Sequence, residues 1–247
     1  MILILFLSLG ILGCAFGAPA DVLTSVTRSP SPILNSQQGT LGIPMQIVLL
    51  MTGLTLLPVL LMSVTPFLRI TLVLHFLRQA IGTQSSPSNP VLIGLALFLT
   101  VMIMQPTLQK SYEEGWLPYE AQQLPAGVAW QKGVEPLRGF LVKYVRERDV
   151  QMLIDVSHSK PPAKAADLEF RILLPAYMLS ELKTGFQIGA MLFLPFLVID
   201  LLVASVTLSV GIVQLPPAMV SSPFKILLFV LVDGWNLVAG SLVKSFY

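Results

Sequence analysis

The chain is 247 residues long, 54% hydrophobic and only 11% charged, with a mean hydropathy of +0.78; soluble domains carry about a quarter charged residues, so this is the composition of a membrane protein. A formal net charge of +2 without a basic run provides no phosphate-binding stripe and argues against nucleic acid as a partner. The single cysteine, Cys14, can form no internal disulfide, and His75 and His158 are too few and too far apart for a histidine metal cluster.

Residues 1–13 are almost wholly apolar, and the small residues that follow fit a signal peptide, 1–17, cleaved between Gly17 and Ala18. The segment carries no Lys or Arg, so an uncleaved anchor is a second reading. A third takes Ile11-Leu12-Gly13-Cys14 as a lipoprotein box with Cys14 lipidated. Residues 18–40, with Pro19, Pro30, Pro32 and several Ser and Gly, read as a flexible leader.

Four apolar segments follow, at about 41–64, 90–108, 186–215 and 223–243. Pro58 and Pro106 lie within the first two, which predicts kinked or broken helices. The pattern divides the mature chain into a first apolar hairpin, 41–108, a helical insert, 109–184, and a second apolar hairpin, 185–247. The link at 66–89 carries Arg69 and Arg78 and no acid, so the positive-inside rule puts it in the cytoplasm. The insert holds ten basic and ten acidic residues and no bias of its own, and topology then places it outside the cytoplasm. Within it, Leu137, Leu141, Tyr144 and Val145 recur at helical spacing, predicting an amphipathic helix over 136–148. Residues 157–166, with Pro161-Pro162, read as a loop before a helix starting near Asp167.

The second hairpin carries the most informative residue. Between Lys183 and Lys225 the only charged side chain is Asp200. A lone carboxylate at membrane depth costs roughly 2.5–3.5 kcal/mol on insertion scales, so it faces protein or a watery cavity. Lys225 is its candidate counter-charge, with Asp233 two turns further on; the alternative is a snorkelling Lys225 beside a merely hydrogen-bonded Asp200. The apolar stretch runs past Gly211 into Leu215-Pro216-Pro217, a break that predicts irregular backbone lining protein or a lumen. Gly185-x-x-x-Gly189 offers a groove for a close-packed helix. No phosphate loop, dinucleotide fingerprint, H-E-x-x-H or G-x-S-x-G motif occurs, so the chain lacks the minimal parts of the common hydrolases and is read as no enzyme, without metal or cofactor.

Three blocks, PFLRITLVLHFLRQAIGTQ at 66–84, PAYMLSELKTGFQIG at 175–189 and LPFLVID at 194–200, occur in order and are followed by PFKILLFVLVDGW at 223–235. Together they resemble the FliP family of flagellar type III export-gate proteins, whose injectisome counterpart is SctR; the likeness covers the chain from about Gly42 onward. The resemblance implies an all-α membrane protein of bent helical hairpins with a helical extracytoplasmic insert. Such chains assemble with FliQ-like and FliR-like subunits and further copies of themselves, five in the family's usual arrangement, into a helical export-gate cone. It implies a place in the bacterial inner membrane at the flagellar basal body, FlhA/FlhB-like export components as neighbours, and unfolded proteins as substrates. Asp200, Lys225, Glu181, Lys183, Asp233, Arg69 and Arg78 would then be subunit-contact charges. The loop Gly211, Ile212, Val213, Gln214, Leu215, Pro216, Pro217 would gate the channel. Family members commonly carry a methionine-rich gasket there, whereas here no methionine appears until Met219. A virulence-injectisome subunit, a small ion channel or carrier using Asp200, and a passive scaffold are the alternatives.

Overall fold

Nine α-helices make up the described part of the chain. The computed structural model describes residues 42–83, 86–158, 168–211 and 216–247, so the segments expected as signal peptide and leader, the loop expected at 157–166 for the most part, and the middle of the loop expected as a gate lie outside it. Residues 49–247 cluster as one unit; before it, only the first turns of α1 are described.

Helix α1, Ile43–Val64, has no charged residue and no polar face. Its side chains from Leu49 to Leu61 are mostly half exposed or more. At 1.5 Å per residue it is about 33 Å long, enough to cross a hydrocarbon layer. Pro58 removes one backbone donor, and Ser63 and Thr55 turn their hydroxyls back onto helix carbonyls.

Helix α2, Phe67–Ile81, is the opposite case. Ile70, Val73, Leu74, Leu77 and Ile81 recur at 3.6-residue spacing and are buried, and Gly82 closes the helix in the left-handed conformation at φ 83°. The segment expected as a link between spans is thus a core helix. Arg78 serves its exit turn, donating to the Asn89 side chain at 2.5 Å and the Pro87 carbonyl at 3.3 Å.

Helix α3, Asn89–Ser111, runs through Pro106 into a π-helical turn, Tyr112–Trp116, and a short α4, Leu117–Glu120. The chain then reverses into α5, Ala126–Tyr144. The π turn is where the two arms touch most closely, because Gly115 meets α5 with no Cβ between them. A Cβ on Gly115 would lie 2.5 Å from the Gly133 Cα and 2.9 Å from the Ala129 carbonyl oxygen, whereas one on Gly133 would find nothing closer than 3.6 Å. Gly115→Ala should therefore cost about 1–3 kcal/mol of stability through overpacking against backbone, while Gly133→Ala should be neutral or stabilising by up to about 1 kcal/mol; thermal melting of the two purified variants checks the asymmetry.

Two sequence expectations change here. The amphipathic helix starts ten residues before Pro136 and stops at Tyr144, since Val145 turns extended and α6, Glu147–Ser157, begins anew. The border drawn between insert and second hairpin at 184/185 falls inside one unbroken helix, α7, Phe170–Ser209. A change from charged to apolar side chains does not interrupt the backbone hydrogen-bond ladder, and α7 also carries Pro175 and Pro195 within it. Its first half buries Ile172, Leu173, Ala176, Tyr177, Ser180 and Glu181, then Gly185 and Gly189, in steps of three and four along one face.

Beyond the gate loop, α8, Pro217–Leu231, and α9, Gly234–Lys244, are bent by 64° at Asp233, which adopts the left-handed conformation. The fourth apolar segment is therefore a broken element and not a straight span. Gly234 makes the bend compact, because the Phe229 ring occupies the space a Cβ would fill. Among the described residues, three helical stretches, Pro44–Val64, Asn89–Glu120 and Phe170–Ser209, are long and apolar enough to cross a membrane, or four if the bent pair counts as one span.

Candidate functional site

Two ionic clusters lie along α7, about 28 Å of helix apart at 1.5 Å per residue. The first is enclosed. Arg69 projects from α2 between aromatic rings, and Glu181 meets it from α7; their side chains are 5% and 0% exposed. Arg69 Nε donates to Glu181 Oε2 at 2.8 Å and Nη2 donates to Oε1, the two-pronged arrangement that suits a guanidinium and a carboxylate. The remaining nitrogen, Nη1, donates to Ser245 Oγ at 3.3 Å. The face of the guanidinium lies 4.0 Å from the centre of the Phe246 ring and 5.9 Å from that of Tyr144. Phe246 in turn stacks on Phe140, and the Tyr144 hydroxyl donates to the Phe246 carbonyl.

This pair joins residues 112 positions apart, and no local pattern announces it. Both residues were expected at contacts between subunits. Within its own chain Glu181 has both carboxylate oxygens paired, which lets the ion pair be buried.

Next to it, the junction of α5 and α6 is tied to the same face of α7. Ser180 accepts from the Arg146 backbone N–H at 3.0 Å and donates toward Asp149 at 2.7 Å, while the Arg146 guanidinium reaches Thr184 and Gln187. One turn on, Gly185 and Gly189 receive Leu72 and Phe76 of α2. A Cβ on either would fall 2.8 Å from Leu72 Cδ2 or 2.5 Å from Phe76 Cδ2, so the helix expected in the small-residue groove is the chain's own α2.

The second cluster is half open. Lys225 Nζ donates to Asp200 Oδ2 at 2.6 Å, and Ser221 Oγ donates to Oδ1 at 2.5 Å. Lys225 is 5% exposed but Asp200 is 34% exposed, so the pair presents its acidic side outward. The ammonium is thus drawn inward to Asp200 and does not snorkel. Ser221, one turn before Lys225 on α8, went unnoticed in the sequence although i, i+4 spacing puts it on the same face.

Of the other expected charges, Lys183 is exposed on α7, and Asp233 sits at the start of α9, accepting from Asn236 Nδ2 at 3.1 Å. Neither joins a cluster. Gly211 ends the loop's entry at φ 81° with open space around it, and Pro216-Pro217 leads into α8 with Pro217 at its first position. Ile212, Val213, Gln214 and Leu215, like Gly17 and Ala18, lie outside the described residues.

This arrangement fits the comparisons with known proteins. The FliP family model matches residues 50–242, which include both clusters. The chain is 44% identical over 238 residues to the flagellar biosynthetic protein FliP of Pectobacterium carotovorum subsp. carotovorum, covering 96% of this chain and 91% of that protein. It is 50% identical over 201 residues to that of Caulobacter vibrioides, covering 81% and 76%. The match to the Bacillus subtilis protein of the same description is 45% over 201 residues, covering 81% and 91%. With the family model spanning most of its length and such identity to whole relatives, the chain belongs to the FliP family.

Proposed function

We propose that the chain is a core subunit of a flagellar type III protein export gate in the bacterial inner membrane. In this reading it forms, with FliQ-like and FliR-like subunits and further copies of itself, the channel through which unfolded flagellar subunits leave the cytoplasm. The observation that carries the reading is its likeness, over nearly the whole chain, to proteins described as flagellar biosynthetic. The same descriptions favour a flagellum over an injectisome. Supporting it, Leu201, Leu202, Leu208, Leu227 and Leu231 are each about 60–74% exposed, an apolar surface that needs lipid or neighbouring subunits as cover. The sequence expectation that the 66–89 link and the insert lie on opposite sides of the membrane is not kept, because Arg69 of the one pairs with Glu181 and lies beside Tyr144 of the other; a contact role for the outward face of Asp200 belongs to this reading.

An ion carrier built on Asp200 fits less well, because both carboxylate oxygens are already committed to Ser221 and Lys225. No catalytic role is assigned. The test is to purify the chain with its membrane neighbours and weigh the intact complex: a mass accounting for several copies plus two further kinds of membrane subunit supports the gate, and a chain that purifies alone and transports ions overturns it. Deleting residues 212–215 should leave that complex assembled while raising the leakage of small solutes; unchanged permeability in an assembled variant would remove the loop from the gate, and unaltered export would favour a passive scaffold.

A further inference from the structure

The tail after α9 does more than end a helix. Ser245 and Phe246 turn back onto the Arg69–Glu181 pair, which lies on helices α2 and α7 far earlier in the chain. Ser245 Oγ takes the guanidinium nitrogen that Glu181 leaves free, and the Phe246 ring covers the guanidinium face at 4.0 Å. Phe246 is 3% exposed while its neighbour Tyr247 is 74% exposed, so one ring points into the protein and the next points out. The Tyr144 hydroxyl holds the Phe246 carbonyl from α5, and Phe140 stacks under the same ring. At its other end α9 leaves the bend at Asp233, whose backbone is left-handed, whose exposed side chain accepts from Asn236, and whose backbone bonds run only to Val230 and Leu237, all within four residues.

We infer that residues 245–246 are a strap that closes over the Arg69–Glu181 pair and keeps it dry. Helix α9 is the arm that carries the strap, with its pivot at Asp233-Gly234 and its latch at Phe246. The chemistry follows from the two sides of the guanidinium. Its edge gives three of its five N–H groups to Glu181 and Ser245, but the ring nearest its face belongs to the tail, Phe246 at 4.0 Å against Tyr144 at 5.9 Å. When the strap lifts, water reaches the face, and a pair that is strong because it is dry becomes an ordinary hydrated one. The docking of α9 and the pairing of α2 with α7 are therefore one cooperative event. A displacement of α9 at the pivot weakens a contact at the helix's other end.

The test is a double-substitution cycle in the full chain, purified within its membrane complex. Phe246→Ala and Glu181→Gln are made singly and together, with Tyr247→Ala as the exposed reference. A strap that seals the pair predicts coupling: the melting temperature of the double variant falls by clearly less than the sum of the two single drops. Additive drops overturn the proposal, because they make Phe246 an independent packing residue. Tyr144→Phe, which removes one oxygen and keeps the ring, provides a gentler second measurement should Phe246→Ala fail to fold. Hydrogen exchange over residues 240–247 should speed up by at least about threefold in that variant as the latch loosens, with Tyr247→Ala unchanged; equal exchange in wild type and Tyr144→Phe overturns the latch.

Discussion

Replacing Glu181 with alanine is expected to be the most damaging single substitution in the described fold. It strips two acceptors from a guanidinium that is 5% exposed and cannot reach bulk water without lifting its aromatic cover. Removing one partner of a buried ion pair costs about 3–5 kcal/mol, because the remaining charge stays desolvated. That is a large share of the roughly 5–15 kcal/mol that holds an ordinary domain together. The variant should accumulate poorly and, where recovered, melt well below the parent in detergent. Substituting both partners with apolar residues of similar size, Arg69→Met with Glu181→Leu, should recover most of the loss, since an apolar pair carries no desolvation penalty. A double variant that melts no higher than Glu181→Ala would assign the damage to packing and not to the stranded charge.

The second large effect is expected at Asp200, with a predictable asymmetry. Asp200→Ala leaves the Lys225 ammonium, 5% exposed, with no counter-charge, and should cost about 2–4 kcal/mol. Lys225→Ala leaves a carboxylate that is one-third exposed and still accepts from Ser221, so its cost should be nearer 1 kcal/mol. The order of the two variants in melting temperature checks the geometry. Exchanging the charges, Asp200→Lys with Lys225→Asp, should regain part of what Asp200→Ala loses. An exchange that regains nothing would mean that the pair's surroundings, Ser221 first among them, matter more than the pair.

The two ionic clusters differ in how far sequence alone could find them. Asp200 and Lys225 are 25 residues apart in adjoining apolar segments with no other charge between them, so each is the other's only nearby choice. Glu181 sits among many other charges and Arg69 has no acid near it in sequence, and their meeting depends on α2 lying along α7, a tertiary fact with no local signature. Helix boundaries failed for a related reason. The proline at 136 and the polarity change at 184 both looked like ends, but a proline in a helix removes one hydrogen bond and leaves the rest of the ladder in place, and a polarity change removes none. What the sequence did expose was composition-level: α1 as an apolar helix, though expected kinked or broken at Pro58 and found continuous, the break before Pro217, and the small-residue face at Gly185 and Gly189, though not which helix would fill it.

Helix α7 makes the insert and the region beside the gate loop parts of one mechanical member. Its anchored half is gripped at Ser180, Glu181, Gly185 and Gly189, and its other half carries Asp200 toward Gly211. A twist applied to the insert travels along this shaft and is delivered at Asp200 and at the entry to the loop. Between Glu181 and Asp200 the only proline is Pro195, where the missing N–H leaves the Met191 carbonyl without its helical donor. Bending of the helix is easiest at that turn, so the stiffness around Pro195 sets how closely Asp200 and Gly211 follow the anchored half.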